Sequence, residues 1–224
     1  MQDEVRLEGL QIRAGARELV HDVSLRWTAG QVLGVLGASG SGKTLTARAI
    51  LGLVDLQPGV VRGALTVEVD GRVHAPYAPL TRGRRPSEAD FAPLRGAVLG
   101  YLPQHARASL DPLRRIGRQV EASAALATDR RAADHWLSAA GFPRPEAVLD
   151  LYPHELSGGM AQRVAIALAL ARGSRFLVAD EPTTGLDPTV QQALLRSLRV
   201  LADAGLGILL ITHDLRALAE IADA

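Results

Sequence analysis

Short apolar runs separated by longer amphipathic stretches organise the chain. Val32, Leu33, Val35 and Leu36 form one run, and Ala97–Leu102, Phe176–Ala179 and Ile208–Ile211 form others. Runs of this length suit strands buried in a parallel sheet. The stretches between them carry helical periodicity. Leu45, Ala49, Ile50 and Leu53 recur at helical spacing, with Gly52 near the expected end. Leu113, Ile116 and Val120 open a helical region over 109–150, which includes an Ala-rich helix from Thr128 that stops at Gly141 and packs Trp136 and Leu137 inside. Ser157 is the expected N-cap of a helix Met160–Arg172 that Gly173 ends. Val190–Ala204 reads as an amphipathic helix, and Leu215–Ala224 as a closing one.

A second pattern alternates apolar and polar positions. It covers Val5–Ile12, Leu19–Trp27 (Val23, Leu25 and Trp27 against Ser24 and Arg26) and Val60–Val73, which turns at Asp70-Gly71. These segments predict an antiparallel sheet beside the main fold. Residues 74–93 contain Pro76, Pro79, Pro86 and Pro93 with Arg82, Arg84 and Arg85, and read as a solvated loop. Strands alternating with helices predict an α/β fold whose parallel sheet is covered on both faces. Ligands then bind beyond the carboxyl ends of the strands.

Chemistry-bearing residues lie just past those ends. Gly37-Ala38-Ser39-Gly40-Ser41-Gly42-Lys43-Thr44 fits G-x-x-x-x-G-K-[ST] at every fixed position and sits between a strand and a helix. Glycines let the backbone fold round an anion, and the helix N-terminus adds partial positive charge. Lys43 supplies a point charge for β/γ phosphates, and Thr44 a hydroxyl for Mg²⁺. Lys43 is also the only lysine in the sequence; every other basic side chain is arginine. A planar guanidinium does not replace a compact ammonium between phosphates. Asp180 follows an apolar strand, as a Mg²⁺-holding aspartate does, and Glu181 is placed to polarise a water for attack on the γ-phosphate. Gln104 can touch both Mg²⁺ and that water, and His213 can hydrogen-bond the γ-phosphate. Ser157-Gly158-Gly159 forms a second glycine-rich helix N-terminus suited to phosphate, which suggests a composite site.

Composition narrows the class. The 224 residues are 47% hydrophobic and 22% charged, as in globular proteins, and the low aromatic content of 4% implies an aliphatic core. With 25 basic and 24 acidic residues there is no support for a nucleic-acid surface. The absence of cysteine excludes disulfides and thiolate metal sites. No apolar run reaches about 18 residues, and the acidic start is no signal peptide, so a cytoplasmic location is expected.

Taken together, these motifs resemble the nucleotide-binding subunit of ATP-binding-cassette (ABC) transporters. Leu156-Ser157-Gly158-Gly159-Met160 is similar to that family's signature, Gln104 to its Q-loop, Gly185-Leu186-Asp187 to its D-loop and His213 to its switch histidine. The run SLDPLRRIGRQV, the stretch LYPHELSGGMAQRVAIALAL with Met160 and Gln162, and GSGKTLTARAILGL resemble the peptide/nickel importer branch. The resemblance implies a P-loop ATPase domain spanning 1–224. Residues 1–104 and 160–224 would form a catalytic core with an antiparallel β part, and about 105–159 a helical subdomain. It implies ATP and Mg²⁺ as cofactors, with residues 37–44 and Ser157–Met160 binding nucleotide. Thr44, Gln104 and Asp180 would serve the metal, and Glu181, His213 and Gln104 hydrolysis. The implied partners are a second cassette packed head to tail, two transmembrane permease subunits and an extracytoplasmic solute-binding protein, placing the chain peripherally at the cytoplasmic face of the inner membrane. The cargo would be peptide, nickel or a similar small solute. The rival class is a soluble cassette ATPase acting on nucleic acid or ribosomes, which usually carries coiled-coil insertions or two cassettes.

Two features depart from the family pattern. Family members continue through further strands, whereas this chain stops eleven residues after His213, so the C-terminal end of the usual domain is expected to lie outside it. Ala14 falls near the position where the family stacks adenine on an aromatic, and no Phe, Tyr or Trp precedes Trp27. Base stacking contributes about 1–3 kcal/mol in nucleic-acid sites. Without it, a competition assay is expected to find ATP preferred over GTP by less than about a hundredfold; a larger preference contradicts this reading.

Overall fold

The computed structural model describes residues 2–224. In chain order its elements are β1 (Glu4–Ala14), β2 (Arg17–Thr28), β3 (Val32–Leu36), α1 (Lys43–Ile50), β4 (Pro58–Val69), β5 (Arg72–His74), α2 (Glu88–Phe91) and β6 (Leu99–Leu102). The helices α3 (Ile116–Leu126), α4 (Ala133–Ala139), α5 (Glu146–Leu149) and α6 (Gly158–Ala171) follow. The chain closes with β7 (Phe176–Asp180), α7 (Pro188–Asp203), β8 (Gly207–Thr212) and α8 (Leu215–Ile221).

Among the described residues the strands form two four-stranded sheets. The parallel sheet has the order β3-β8-β7-β6, and the antiparallel sheet the order β2-β1-β4-β5. The alternating segments thus pair with one another, as their polar outer positions require. Asp70 and Gly71 both take positive φ, 50° and 73°, the turn that matches the twist of the β4–β5 hairpin.

β7 and β8 are buried along their whole length because both faces are covered. Leu177, Ala179, Ile208 and Leu210 join the cluster that includes Val164 and Ala167 of α6 and Leu194 and Leu198 of α7. Phe176, Val178, Leu209 and Ile211 join the opposite cluster, with Ala47 and Ile50 of α1 and with Leu7 and Trp27 of the antiparallel sheet. The antiparallel sheet therefore lies over one face of the parallel sheet. Trp27 meets Phe176 edge to face, with ring centroids 6.0 Å apart, a favoured aromatic geometry.

Several expected elements differ. β3 is terminal in its sheet, and only Val32 is buried; Leu36 is 49% exposed. Its free edge is met by residues 222–224: Gly34 N donates to Ala224 O, and Asp223 N to Val32 O. The closing helix accordingly ends at Ile221. Leu113 is 85% exposed, because Asp111 Oδ1 accepts from Leu113 N and this side-chain turn keeps the chain out of the helix until Ile116. Thr128 takes φ 57°, so α4 begins only at Ala133. Leu53 lies past the end of α1 and is partly exposed; the buried face of that helix is Thr46, Ala47, Ala49 and Ile50. Residues 74–93 are anchored by two aromatics. Tyr77 and Phe91 are buried edge to face, and the Tyr77 hydroxyl donates to Ala49 O at 2.6 Å. Arg82, Arg84 and Arg85 remain exposed as expected.

The two-sided packing of β7 generates a stability contrast. Phe176→Ala is expected to cost about 3–5 kcal/mol in urea unfolding, whereas Leu113→Ser should stay within about 0.5 kcal/mol. Equal losses would contradict the burial described.

Candidate functional site

The register of the parallel sheet aligns its carboxyl ends. Leu36 pairs with Thr212, Ile211 with Asp180, and Ala179 with Leu102. The residues that follow these ends, the 37–44 loop, Gln104, Glu181 and His213, therefore emerge along one edge.

A cavity of about 330 Å³ opens there, lined by Ser39, Gly42, Lys43, Thr44, Gln104 and Glu181, with Leu19 of β2 as an apolar wall. Gly42 takes φ 91°, and a Cβ on it would stand 2.9 Å from Val20 Cγ2 and 3.1 Å from Leu19 O. Only glycine fits both the turn and the approach to β2. Gly42 also caps α1 without a side chain, so the positive end of that helix is left open to an anion. Lys43 is 8% exposed. Its ammonium donates to Gly37 O at 2.6 Å and Ala38 O at 2.8 Å, and lies 3.9 Å from Glu181 Oε1.

Asp180 is buried at the end of β7, where Thr44 Oγ1 donates to Oδ1 at 3.1 Å and the Tyr101 hydroxyl to Oδ2 at 3.4 Å. Burial pushes the Asp180 carboxyl above its ordinary range, while the two hydroxyl donors oppose that shift and the Glu181 charge adds to it. Burial, and then the Asp180 carboxylate, push Tyr101 up to about 12. Thr44, Asp180 and Gln104 offer a hydroxyl, a carboxylate and an amide, oxygen donors that fit Mg²⁺ held jointly with substrate phosphates. Among the described residues no cluster of three His, Cys, Asp or Glu side chains forms a separate metal site.

Glu181 takes φ 49°, rare for a side chain of this kind, and Glu181 N donates to Ile211 O at 2.8 Å. The neighbouring strand thus over-determines a strained position. Glu181 Oε2 accepts from Thr184 Oγ1 at 3.1 Å and lies 3.1 Å from His213 Nδ1. The structure joins Thr44 to Asp180, and Lys43 and His213 to Glu181, beside the cavity, which Gln104 lines without a side-chain bond to the others.

Ser157–Met160 do not line that cavity. Ser157 caps α6, accepting from Met160 N at 3.3 Å, and both Ser157 and Gly158 are exposed. A Cβ on Gly159 would stand 2.3 Å from Val190 Cγ1, so glycine is needed there to pack α6 against α7. Asp187, in the stretch that resembles the D-loop, caps α7 by accepting from Thr189 N and Val190 N, both at 3.1 Å. Ala14 ends β1 opposite Arg17, across a tight hairpin. The sequence reading overlooked Tyr101 and Leu19. A hydroxyl inside the apolar Ala97–Leu102 run was the signal for the first; nothing in the local pattern marked the second.

The chain matches the family described as ABC transporter over residues 20–184. The glutathione import ATP-binding protein GsiA of Salmonella paratyphi A is 38% identical, over 96% of this chain and 34% of that protein. The oligopeptide transport ATP-binding protein OppD of Bacillus subtilis is 36% identical, over 93% of this chain and 58% of that protein. The chain thus spans only part of the length of these relatives. A solved ATP-binding subunit of an ABC transporter superposes with a TM-score of 0.73 at 26% identity, covering 98% of this chain and 83% of that one. The fold is that of the ABC-type P-loop ATPase domain, with parallel sheet, antiparallel sheet and helices.

The buried Asp180 yields a test with a defined sign. Its raised value means that its favourable contribution to folding exists at acid pH and is lost as pH rises through the folded value. Asp180→Asn is therefore expected to raise the melting temperature of the nucleotide-free chain at neutral pH, with the gain shrinking as pH falls into the carboxylate range. A lower melting temperature at neutral pH would contradict this.

Proposed function

The chain belongs to the ABC transporter family, and on that premise we propose that it binds and hydrolyses ATP to drive import of a peptide-class solute. The observation that carries this reading is the meeting of two bonded groups at the cavity of the 37–44 loop, Thr44 with Asp180 and Lys43 with Glu181 and His213. The relatives named for glutathione and oligopeptide import favour the peptide side of the peptide/nickel branch.

In this reading the 37–44 loop and the N-terminus of α1 bind the phosphates, and Lys43 turns its ammonium from Gly37 O and Ala38 O toward them. Thr44, Asp180 and Gln104 hold Mg²⁺, which when bound neutralises charge developing on the phosphates. Glu181 orients a water and takes its proton as the water attacks the γ-phosphorus and the bond to the β-phosphate oxygen breaks. His213, 3.1 Å from Glu181, fixes that carboxylate and donates to the γ-phosphate. The protein's part is positioning and charge stabilisation rather than covalent chemistry.

The exposed Ser157-Gly158 end of α6, outside its own cavity, supports a composite site in which a partner cassette's equivalent segment covers the γ-phosphate. The further partners are two transmembrane permease subunits and an extracytoplasmic solute-binding protein, with the chain peripheral at the inner membrane. No helix among the described residues is long and apolar enough to cross a membrane. Residues 1–104 and 160–224 act as the catalytic core, and about 105–159 as the helical part that meets partners.

Size-exclusion with ATP and Mg²⁺ tests the composite site. Glu181→Gln keeps the shape and removes the base, so it is expected to accumulate a cassette dimer, with the cognate second cassette supplied if one exists. Gly158→Asp on both subunits sets a carboxylate against phosphate and should dissolve that dimer while nucleotide stays bound. A dimer indifferent to Gly158→Asp would overturn the composite arrangement.

A further inference from the structure

Gln162 is a buried polar side chain that the proposed chemistry does not use. It lies in the first turns of α6, two residues past Met160, and is 3% exposed. Its Nε2 donates to Gln104 O at 3.1 Å and to Pro103 O at 3.3 Å. Two carbonyls can be met only by the amide NH₂ group, so the orientation of the side chain is determined. Its Oε1 is then buried and has no hydrogen-bond partner among the described residues. An unmatched buried acceptor disfavours folding, so an apolar side chain of the same length would serve packing better. What an apolar side chain cannot do is hold the two carbonyls.

Those carbonyls belong to the turn that carries Gln104 from the end of β6 into the phosphate cavity. The helix holding them begins at Ser157-Gly158, the exposed N-terminus outside that cavity. We propose that Gln162 is a positioning residue: it ties the backbone of Gln104 to the first turns of α6, so that the place of the Gln104 side chain follows the place of that helix end. A displacement of α6 at its exposed end is thereby carried to a side chain beside the bound phosphate. The inference rests on the ATPase reading for its kinetic consequence, but not for the tie itself.

The test uses Gln162→Met, which keeps length and volume and removes both donors. Gln162→Asn, one methylene too short to reach both carbonyls, serves as a second variant. In amide hydrogen exchange of the nucleotide-free chain, residues 104–108 should exchange faster in either variant, while α1 and β7 keep their protection. In kinetics, kcat should fall about tenfold with KM nearly unchanged, as for loss of an interaction felt only in the transition state. Gln104→Ala should lower kcat comparably, and the double variant should be no slower than Gln104→Ala alone, because the two residues act in series. Unchanged exchange at 104–108, protection lost throughout the chain, or fold-losses that multiply in the double variant would each overturn the proposal. If the wild-type chain binds no MgATP in calorimetry, the ATPase reading fails by itself and the exchange result still decides the tie.

Discussion

The structure depends on keeping one ammonium group nearly out of water. Lys43 is 8% exposed, with Gly37 O and Ala38 O as hydrogen-bond partners and Glu181 Oε1 3.9 Å away. A buried cation is tolerable only where its donors are met and a counter-charge is near. Here the loop supplies the carbonyls by folding back over the lysine, which requires Gly42 at φ 91° against β2. The counter-charge requires Glu181 at φ 49°, fixed by its amide on Ile211 O. Loop, strand end and neighbouring strand are thus shaped around one point charge, which the proposed function pairs with phosphate.

The rest of the fold makes those positions rigid. β7 is packed on one side by α6 and α7 and on the other by α1 and the antiparallel sheet. That packing lets the strand end carry Asp180 into a buried place where Thr44 and Tyr101 hold its two oxygens. Gln104 is placed differently, through its backbone and Gln162. The site therefore has a stiff half, built on strand ends, and a half whose position follows α6.

Much of this was legible in the sequence because the buried strands need continuous apolar runs and the phosphate loop needs glycine at fixed spacing. Phe176–Ala179 and Ile208–Ile211 read correctly since both faces of those strands are covered. β3 misled, because an edge strand with Leu36 half in water has the same composition as a buried one. Leu113 misled through helical spacing that an Asp111 side-chain turn interrupts. Tyr77 and Phe91 were hidden in a stretch whose prolines and arginines suggested solvent, although two aromatics suffice to pin it to α1. Tyr101 and Gln162 act across elements, through a carboxylate and two carbonyls distant in sequence, and periodicity along one element carries no trace of such partners. Ser157–Met160 stand outside the cavity in a single chain, so the composite site that their glycine-rich helix N-terminus suggests in the sequence enters only through the proposal of a partner cassette.

Calorimetric titration of MgATP into the chain and into Lys43→Ala and Lys43→Arg bears most directly on the role of the buried ammonium. The wild-type chain should bind, and both variants should lose binding, the arginine included because its planar fork cannot take a compact ammonium's place beneath the loop. Undiminished affinity in Lys43→Ala would contradict the phosphate-binding role on which the site's reading stands.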